Sequence, residues 1–358
     1  MYPNRKLNRH DGFSMIELMI SLATMTIITG AAFALIGSSI KFSNATYNTT
    51  DSEEGLRTAH EVINRDLTTA GDGLRGIGLI WVPKGFVQNY LTLTPVLDTP
   101  TNPNVNLAVV NSDDNIPANN AIPQASPAAN LLTGCDRIIM LTQDTSFNNG
   151  AGSVSLPANK ITIASPNTTL QLTSTDIGNF HTNEVYAIVS GSSAAFGVVS
   201  SVNSSTNTVV MTNGDTYGLN QTGPTAPIYI VTSNGAQPAS IVRLQIIQYF
   251  VNSNNLLVRR VFGVKNVSFT DNPIAEHVTN LQFRYLISGA LDPNGFVPQP
   301  VRQLATSTQQ LGVREVETTV ALETARAVNT ITANDNGKQV ISSTTATSVR
   351  NLQFQPRQ

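Results

Sequence analysis

Apolar residues run almost unbroken from Phe13 to Ile40, and Glu17 is the single charge among them. About 20 apolar residues in a helix cross the hydrocarbon of a bilayer, so this stretch is long enough to span one. Arg5, Lys6 and Arg9 precede it, against one acid, Asp11; Lys41 and then Asp51, Glu53 and Glu54 follow. The Lys/Arg excess on the near flank predicts a cytoplasmic N-terminus with the bulk of the chain outside. Beyond the span, Leu56, Ala59, Ile63, Leu67 and Ala70 recur at steps of three and four, one face of an amphipathic helix. No proline interrupts residues 4–82, and the Gly71-Asp72-Gly73 triplet supplies a stop. The pattern predicts one helix from about Phe13 to Ala70, about 85 Å long. Residues 41–52 are poor in strong helix formers and are the place for it to fray or bend.

After Gly73 the pattern changes to short β-like runs between turn signals. Candidates lie at 77–82, 137–142, 160–164, 184–190, 196–202, 208–212, 227–232, 241–251, 256–262, 278–287 and 313–324, with a closing strand at 348–354. In 313–324, Val316, Thr318, Val320 and Leu322 alternate with Glu315, Glu317 and Glu323, which places the two sets on opposite faces. Residues 98–133, rich in Pro, Asn and Ala, read as a long surface loop. No internal repeat is evident. The predicted class is α+β: a long N-terminal helix, half membrane and half amphipathic, packed on a large antiparallel β-rich head.

Composition sharpens this picture. Of 358 residues only 12% are charged, about half the usual share, and Asn, Thr and Ser take their place. That composition suits strand surfaces better than surface helices. A net charge of -2 points to no nucleic-acid partner. The lone cysteine, Cys135, rules out an intrachain disulfide and reads as a small buried hydrophobe.

The acid inside the span needs a reason. A cleaved secretory signal has a shorter apolar region followed by a small-residue cleavage site. A plain single-pass anchor does not account for Glu17, although its position near the cytoplasmic end lets the carboxylate snorkel to the interface. The stretch Gly12-Phe13-Ser14-Met15-Ile16-Glu17-Leu18, behind a basic leader, resembles the type III signal of type IV prepilins and type II secretion pseudopilins. The resemblance implies a leader 1–12, cleavage between Gly12 and Phe13 by a membrane peptidase, N-methylation of Phe13, and Glu17 as the acid at the fifth mature position. It also implies that Glu17 pairs with the new N-terminal amine of a neighbouring subunit, since an unpaired acid in a low-dielectric bundle is costly. Many major pilins carry a proline in the membrane half of this helix; this chain has none.

A second resemblance lies at the other end. The runs at 256–263, 274–286, 313–328 and 347–354 are similar to PilW/PulJ-type minor subunits, and together with the N-terminal motif the likeness covers about 13–75 and 241–355. The organisation expected is a leader 1–12, a transmembrane/assembly helix 13–40, its amphipathic continuation 41–72, a β-rich head 73–240 with an inserted subdomain, and a PilW/PulJ-like β region 241–358. The implied partners are the prepilin peptidase, other minor pilins or pseudopilins and a major pilin through the helix, the inner-membrane assembly platform, and inner-membrane lipid. The implied function is a minor pilin that primes or tips a type IV pilus; the alternatives are a type II secretion pseudopilin and an uncleaved membrane-anchored binding or enzymatic β domain.

Nothing in the sequence marks catalysis. His10, His60, His181 and His277 form no zinc spacing, and no nucleophile elbow, phosphate loop or dinucleotide fingerprint occurs, so no enzyme, metal or cofactor is expected. Acid and Asn clusters at 111–115, 269–273 and 334–337 lack the ligand spacing of a calcium loop and read as turns. Arg259 and Arg260 read as strand residues, solvated or paired, with Glu317 a possible partner.

Overall fold

The computed structural model describes residues 14–74, 77, 79–93, 103–117, 131–267, 269–288, 300–304, 306–328 and 336–349. The chain is α+β: a long N-terminal helix followed by a β-rich domain of several antiparallel sheets. It divides into two compact units. One holds the start of the helix, through Asp51, with Thr324–Gln339, where the Thr49 hydroxyl donates to Gln339 Oε1 (3.4 Å). The other begins at Ser52 and contains the sheets.

Helix α1 is continuous over Met15–Thr69, about 82 Å at 1.5 Å per residue. The helix is not interrupted at 41–52, where fraying or a bend was expected. Its poor helix formers are accommodated locally, as when the Thr46 hydroxyl bonds back to the Phe42 carbonyl (3.0 Å). Leu56, Ala59, Ile63 and Leu67 are buried, as their spacing requires, and Ala70 is buried just past the helix. Gly71 (φ 79°) and Gly73 (φ 72°) turn the chain through the left-handed region that favours glycine. There the Gly71 N–H donates to the Leu141 carbonyl (2.8 Å).

The strands are β1 (Leu79–Pro83), β2 (Asn104–Asn106), β3 (Val110–Asp113), β4 (Arg137–Gln143), β5 (Ser153–Leu156) and β6 (Ile161–Ala164). Then come β7 (Asn167–Gln171), β8 (Val185–Ser190), β9 (Ser193–Val198), β10 (Ser201–Asn203), β11 (Thr208–Thr212) and β12 (Ala239–Val251). The last are β13 (Leu257–Phe262), β14 (Phe269–Ala275), β15 (Val278–Ile287), β16 (Val313–Glu323) and β17 (Val340–Ser348). The largest sheet runs β14-β13-β12-β8-β9-β1-β2, with β4 and β5 also on β12 and β3 on β4. Its pairs are antiparallel except β1 with β9. A four-stranded sheet β10-β11-β7-β6 and a three-stranded sheet β15-β16-β17 complete the domain.

Strand alternation gives the largest sheet two cores. Val185 and Ala187 of β8 join the core that includes Leu56, Ile63 and Leu67, while Tyr186 and Ile188 join the core under the four-stranded sheet. β12 pairs with β4, β5 and β8, so residues on both sides of 240 share one sheet.

Two local expectations are corrected. Residues 227–232 form a short helix, not a strand. Pro227 opens it with a fixed φ and no N–H to lose, and the Thr232 hydroxyl bonds back to the Ile228 carbonyl (2.7 Å). Ile228 and Val231, three apart, are its buried face. The loop expected at 98–133 contains β2 and β3 with Val105, Leu107, Val109 and Val110 buried; 98–102 and 118–130 lie outside the described residues. Among the described residues the last strand is β17 at 340–348, which the reading of the sequence did not place; of the closing strand expected at 348–354, residues 350–354 lie outside the described residues. A strand of Ser and Thr with few apolar residues carries almost no period-2 signal.

Buried polar groups fix the second half of α1 to the sheets. Asp66 accepts from Arg259 Nε (2.5 Å) and from the Tyr249 hydroxyl (2.6 Å). Asn64 Oδ1 accepts from the Thr347 hydroxyl (2.6 Å), and His60 Nδ1 lies 2.9 Å from the Thr345 hydroxyl. Burial holds His60 below its ordinary pKa. At a second junction Asp136 accepts from the backbone N–H of Asn115 (2.9 Å) and Phe283 (2.7 Å), joining the start of β4 to β15.

Two predictions follow from these junctions. Asp66→Ala strands Arg259 and leaves the Tyr249 hydroxyl only the longer contact to the Val62 carbonyl (3.4 Å), and the full chain in detergent micelles is expected to lose about 2–4 kcal/mol in denaturant unfolding; a loss below about 0.5 kcal/mol refutes this role of Asp66. Asp136 has its pKa raised to about 6, chiefly by burial. The folded state therefore keeps this proton where the unfolded chain has lost it, and stability falls as pH rises from about 4 to 6, by at most about 3 kcal/mol. Asp136→Asn should flatten that slope even though it costs an acceptor for one N–H.

Candidate membrane and assembly helix

Gly12 and Phe13, the expected cleavage pair, and the leader 1–12 lie outside the described residues. Glu17 lies in the first turn of α1. The Ser14 backbone N–H donates to Glu17 Oε2 (3.0 Å), and the Ile16 N–H points at the Ser14 hydroxyl oxygen (3.4 Å). The Glu17 and Leu18 N–H groups both donate to the Ser14 carbonyl (3.0 and 3.2 Å). This is a capping box, Ser-x-x-Glu, in which the acid three positions into the helix returns to the amide of the cap. The negative charge also faces the positive end of the helix dipole. The Ser14-x-x-Glu17 spacing that signals the cap is written in the sequence.

Every side chain from Ser14 to Ile36 is exposed. Met15, Ile27, Ile28, Phe33 and Leu35 are each at least two-thirds exposed. The most apolar 18-residue window of α1 has a mean hydropathy of 2.0 and no buried residue. So large an apolar surface marks contact with lipid or with other protein. The polar side chains are closed off in a way that suits such surroundings. The hydroxyls of Thr24, Thr26 and Thr29 bond back to the carbonyls of Ile20, Leu22 and Met25 at 3.0, 2.8 and 2.7 Å, so these three donors are satisfied without water. Met15–Ile40 measures about 39 Å along the axis against a hydrocarbon core of about 30 Å. The helix is therefore long enough to cross a membrane.

The other residues singled out in the sequence are structural. Arg259 binds Asp66, not Glu317. Arg260 is buried, donates to both oxygens of Asp271 (2.6 and 2.7 Å) and lies over the Phe269 ring (4.1 Å). Glu317 stands opposite Arg284 in the β15–β16 register. The 111–115 cluster is not a turn throughout: Asn111, Ser112 and Asp113 belong to β3, and Asp113 pairs with Arg137, which is 1% exposed. Arg137 also donates to the Thr92 carbonyl (2.5 Å). Cys135 is buried, with its thiol pKa pushed up to about 11 by burial. Residues 334 and 335 of the last cluster lie outside the described residues. Among the described residues no group of His, Cys, Asp and Glu is placed to hold a metal ion.

No family model and no curated protein matches the sequence. The capping box makes its own prediction. Glu17→Val should raise amide exchange at Ser14–Ile16 about fivefold in detergent micelles, the equivalent of about 1 kcal/mol of capping. Glu17→Gln, which preserves the acceptor, should change it less than twofold. Equal rates in the parent chain and the Val variant would show that the cap does no work.

Proposed function

We propose that the chain is a structural subunit of the minor pilin type. In this reading it is cleaved after Gly12, methylated at Phe13, held in the inner membrane with its head outside, and recruited into the priming or tip complex of a type IV pilus-like fibre. The observation that carries the proposal is the joint character of α1. Its first half is an exposed apolar cylinder with one carboxylate at the end, and its second half is a core element of a β-rich domain. A membrane anchor needs only the first half. A subunit that must leave the membrane and pack beside other helices needs both, with a polar group that sets register.

Glu17 supplies that group. Oε2 accepts the Ser14 N–H, and Oε1 has no hydrogen-bond partner among the described residues. The neighbour's new amine would take Oε1 while the cap is kept, so pairing requires no loss of the helix terminus. The partners are then the prepilin peptidase, other minor pilins and a major pilin, the assembly platform and inner-membrane lipid. The large head suits a tip better than a repeating shaft position, where its bulk would obstruct helical packing.

Mass spectrometry of the N-terminus from the membrane fraction tests this. The expected species begins at methylated Phe13, and Gly12→Ala should leave most of the chain unprocessed. An intact Met1 in cells with an active peptidase overturns the proposal in favour of an uncleaved anchor. Glu17→Val is expected to be cleaved yet excluded from the fibre, and normal incorporation would defeat the pairing role.

A further inference from the structure

We infer that the outer edge of β17 is a docking surface for an extended basic segment of another protein. The ladder geometry comes first. Thr324 N–H donates to the Gln339 carbonyl (2.8 Å) and Val349 N–H to the Arg314 carbonyl (2.9 Å), at either end of the β16–β17 pairing. Bonded and non-bonded pairs alternate along an antiparallel ladder. Ile341, Ser343, Thr345 and Thr347 therefore bond to β16. Val340, Ser342, Thr344 and Ala346 aim their N–H and C=O groups the other way.

Those four residues are the exposed ones, and among the described residues β17 pairs only with β16. The result is a row of donors and acceptors repeating about every 6.7 Å, ready to accept another strand. Edge strands are normally guarded by Lys, Pro or a bulge. Val340–Ser348 contains no charged residue and no proline, and its register with β16 is unbroken. Val340 at its start is 46% exposed.

Charge selects the occupant. Glu315 and Glu317 of β16 share a face with Ser348 and Ala346 of β17, across which they pair. Arg284, opposite Glu317, is the basic side chain β15 brings to that face. A strand added outside β17 lies two strand spacings, about 9.6 Å, from β16. That is within the reach of a long basic side chain and close to one screening length at physiological salt. A segment with Lys or Arg at alternate positions satisfies both the edge and the acidic row. A second β17, which is uncharged, satisfies only the edge.

The test uses the full chain in detergent micelles and a fluorescent nine-residue peptide of alternating Thr and Lys, with a twin carrying Glu for Lys. Saturable binding of the Lys peptide, at least about tenfold tighter than the Glu twin, is expected. Thr344→Pro removes an outward N–H and leaves the β16 backbone ladder whole, losing besides only the exposed hydroxyl contact to Thr319 (2.8 Å), so it should weaken binding about tenfold with the unfolding midpoint little changed. Glu315→Gln with Glu317→Gln should weaken binding and reduce its salt dependence. Should the proline variant misfold, the parent chain still decides: the Lys peptide must protect the amides of Ser342, Thr344 and Ala346 from exchange. Equal binding of the two peptides, protection elsewhere, no binding, or self-association through β17 overturns the inference.

Discussion

One carboxylate in the second half of α1, Asp66, meets Arg259 and Tyr249 from adjacent strands of the largest sheet. The apolar face from Leu56 to Ala70 drives burial, but burial alone is non-directional. A hydrophobic stripe tolerates rotation and sliding by fractions of a turn; a buried acid with two fixed donors does not. Asn64 and His60, on hydroxyls of β17, hold a third sheet strand to the same helix. The polar contacts thus fix the phase of a helix whose packing energy comes from its apolar residues.

The same chain uses charge sparingly, and among the described residues several charges are held in buried or half-buried pairs. Arg137 with Asp113, Arg243 with Asp144 and Glu184, and Arg260 with Asp271 each join segments distant in sequence or lock neighbouring strands. With 12% charged residues there are few to spare, and the surface is left to Asn, Ser and Thr. That is why β17 can be both a regular strand and an unguarded edge: hydroxyl residues fit the pleat, yet do nothing to repel another strand.

Glu17 shows how one residue can meet two demands. Its spacing to Ser14 satisfies a helix terminus that would otherwise leave an amide unpaired in apolar surroundings. Its second oxygen stays open among the described residues. The proposed intersubunit pairing and the observed cap are therefore compatible.

Local residue patterns specify the long helix, its change from an all-round apolar surface to a single buried face, its glycine stop, and the position of most strands. These are periodic or compositional signals, and each is written in consecutive residues. The acid at Glu17 and the Ser-x-x-Glu spacing were equally legible. Packing between segments distant in sequence set the rest. Residues 227–232 have the β-branched composition of a strand but became a helix, because Pro227 starts one and Ile228 and Val231 find a core three residues apart. Val105 to Val110 lie in a segment that reads as loop, but neighbours distant in sequence bury them between strands. Arg259 chose Asp66 over Glu317 because the partner is set by which elements pack, and no local pattern encodes a contact across nearly two hundred residues.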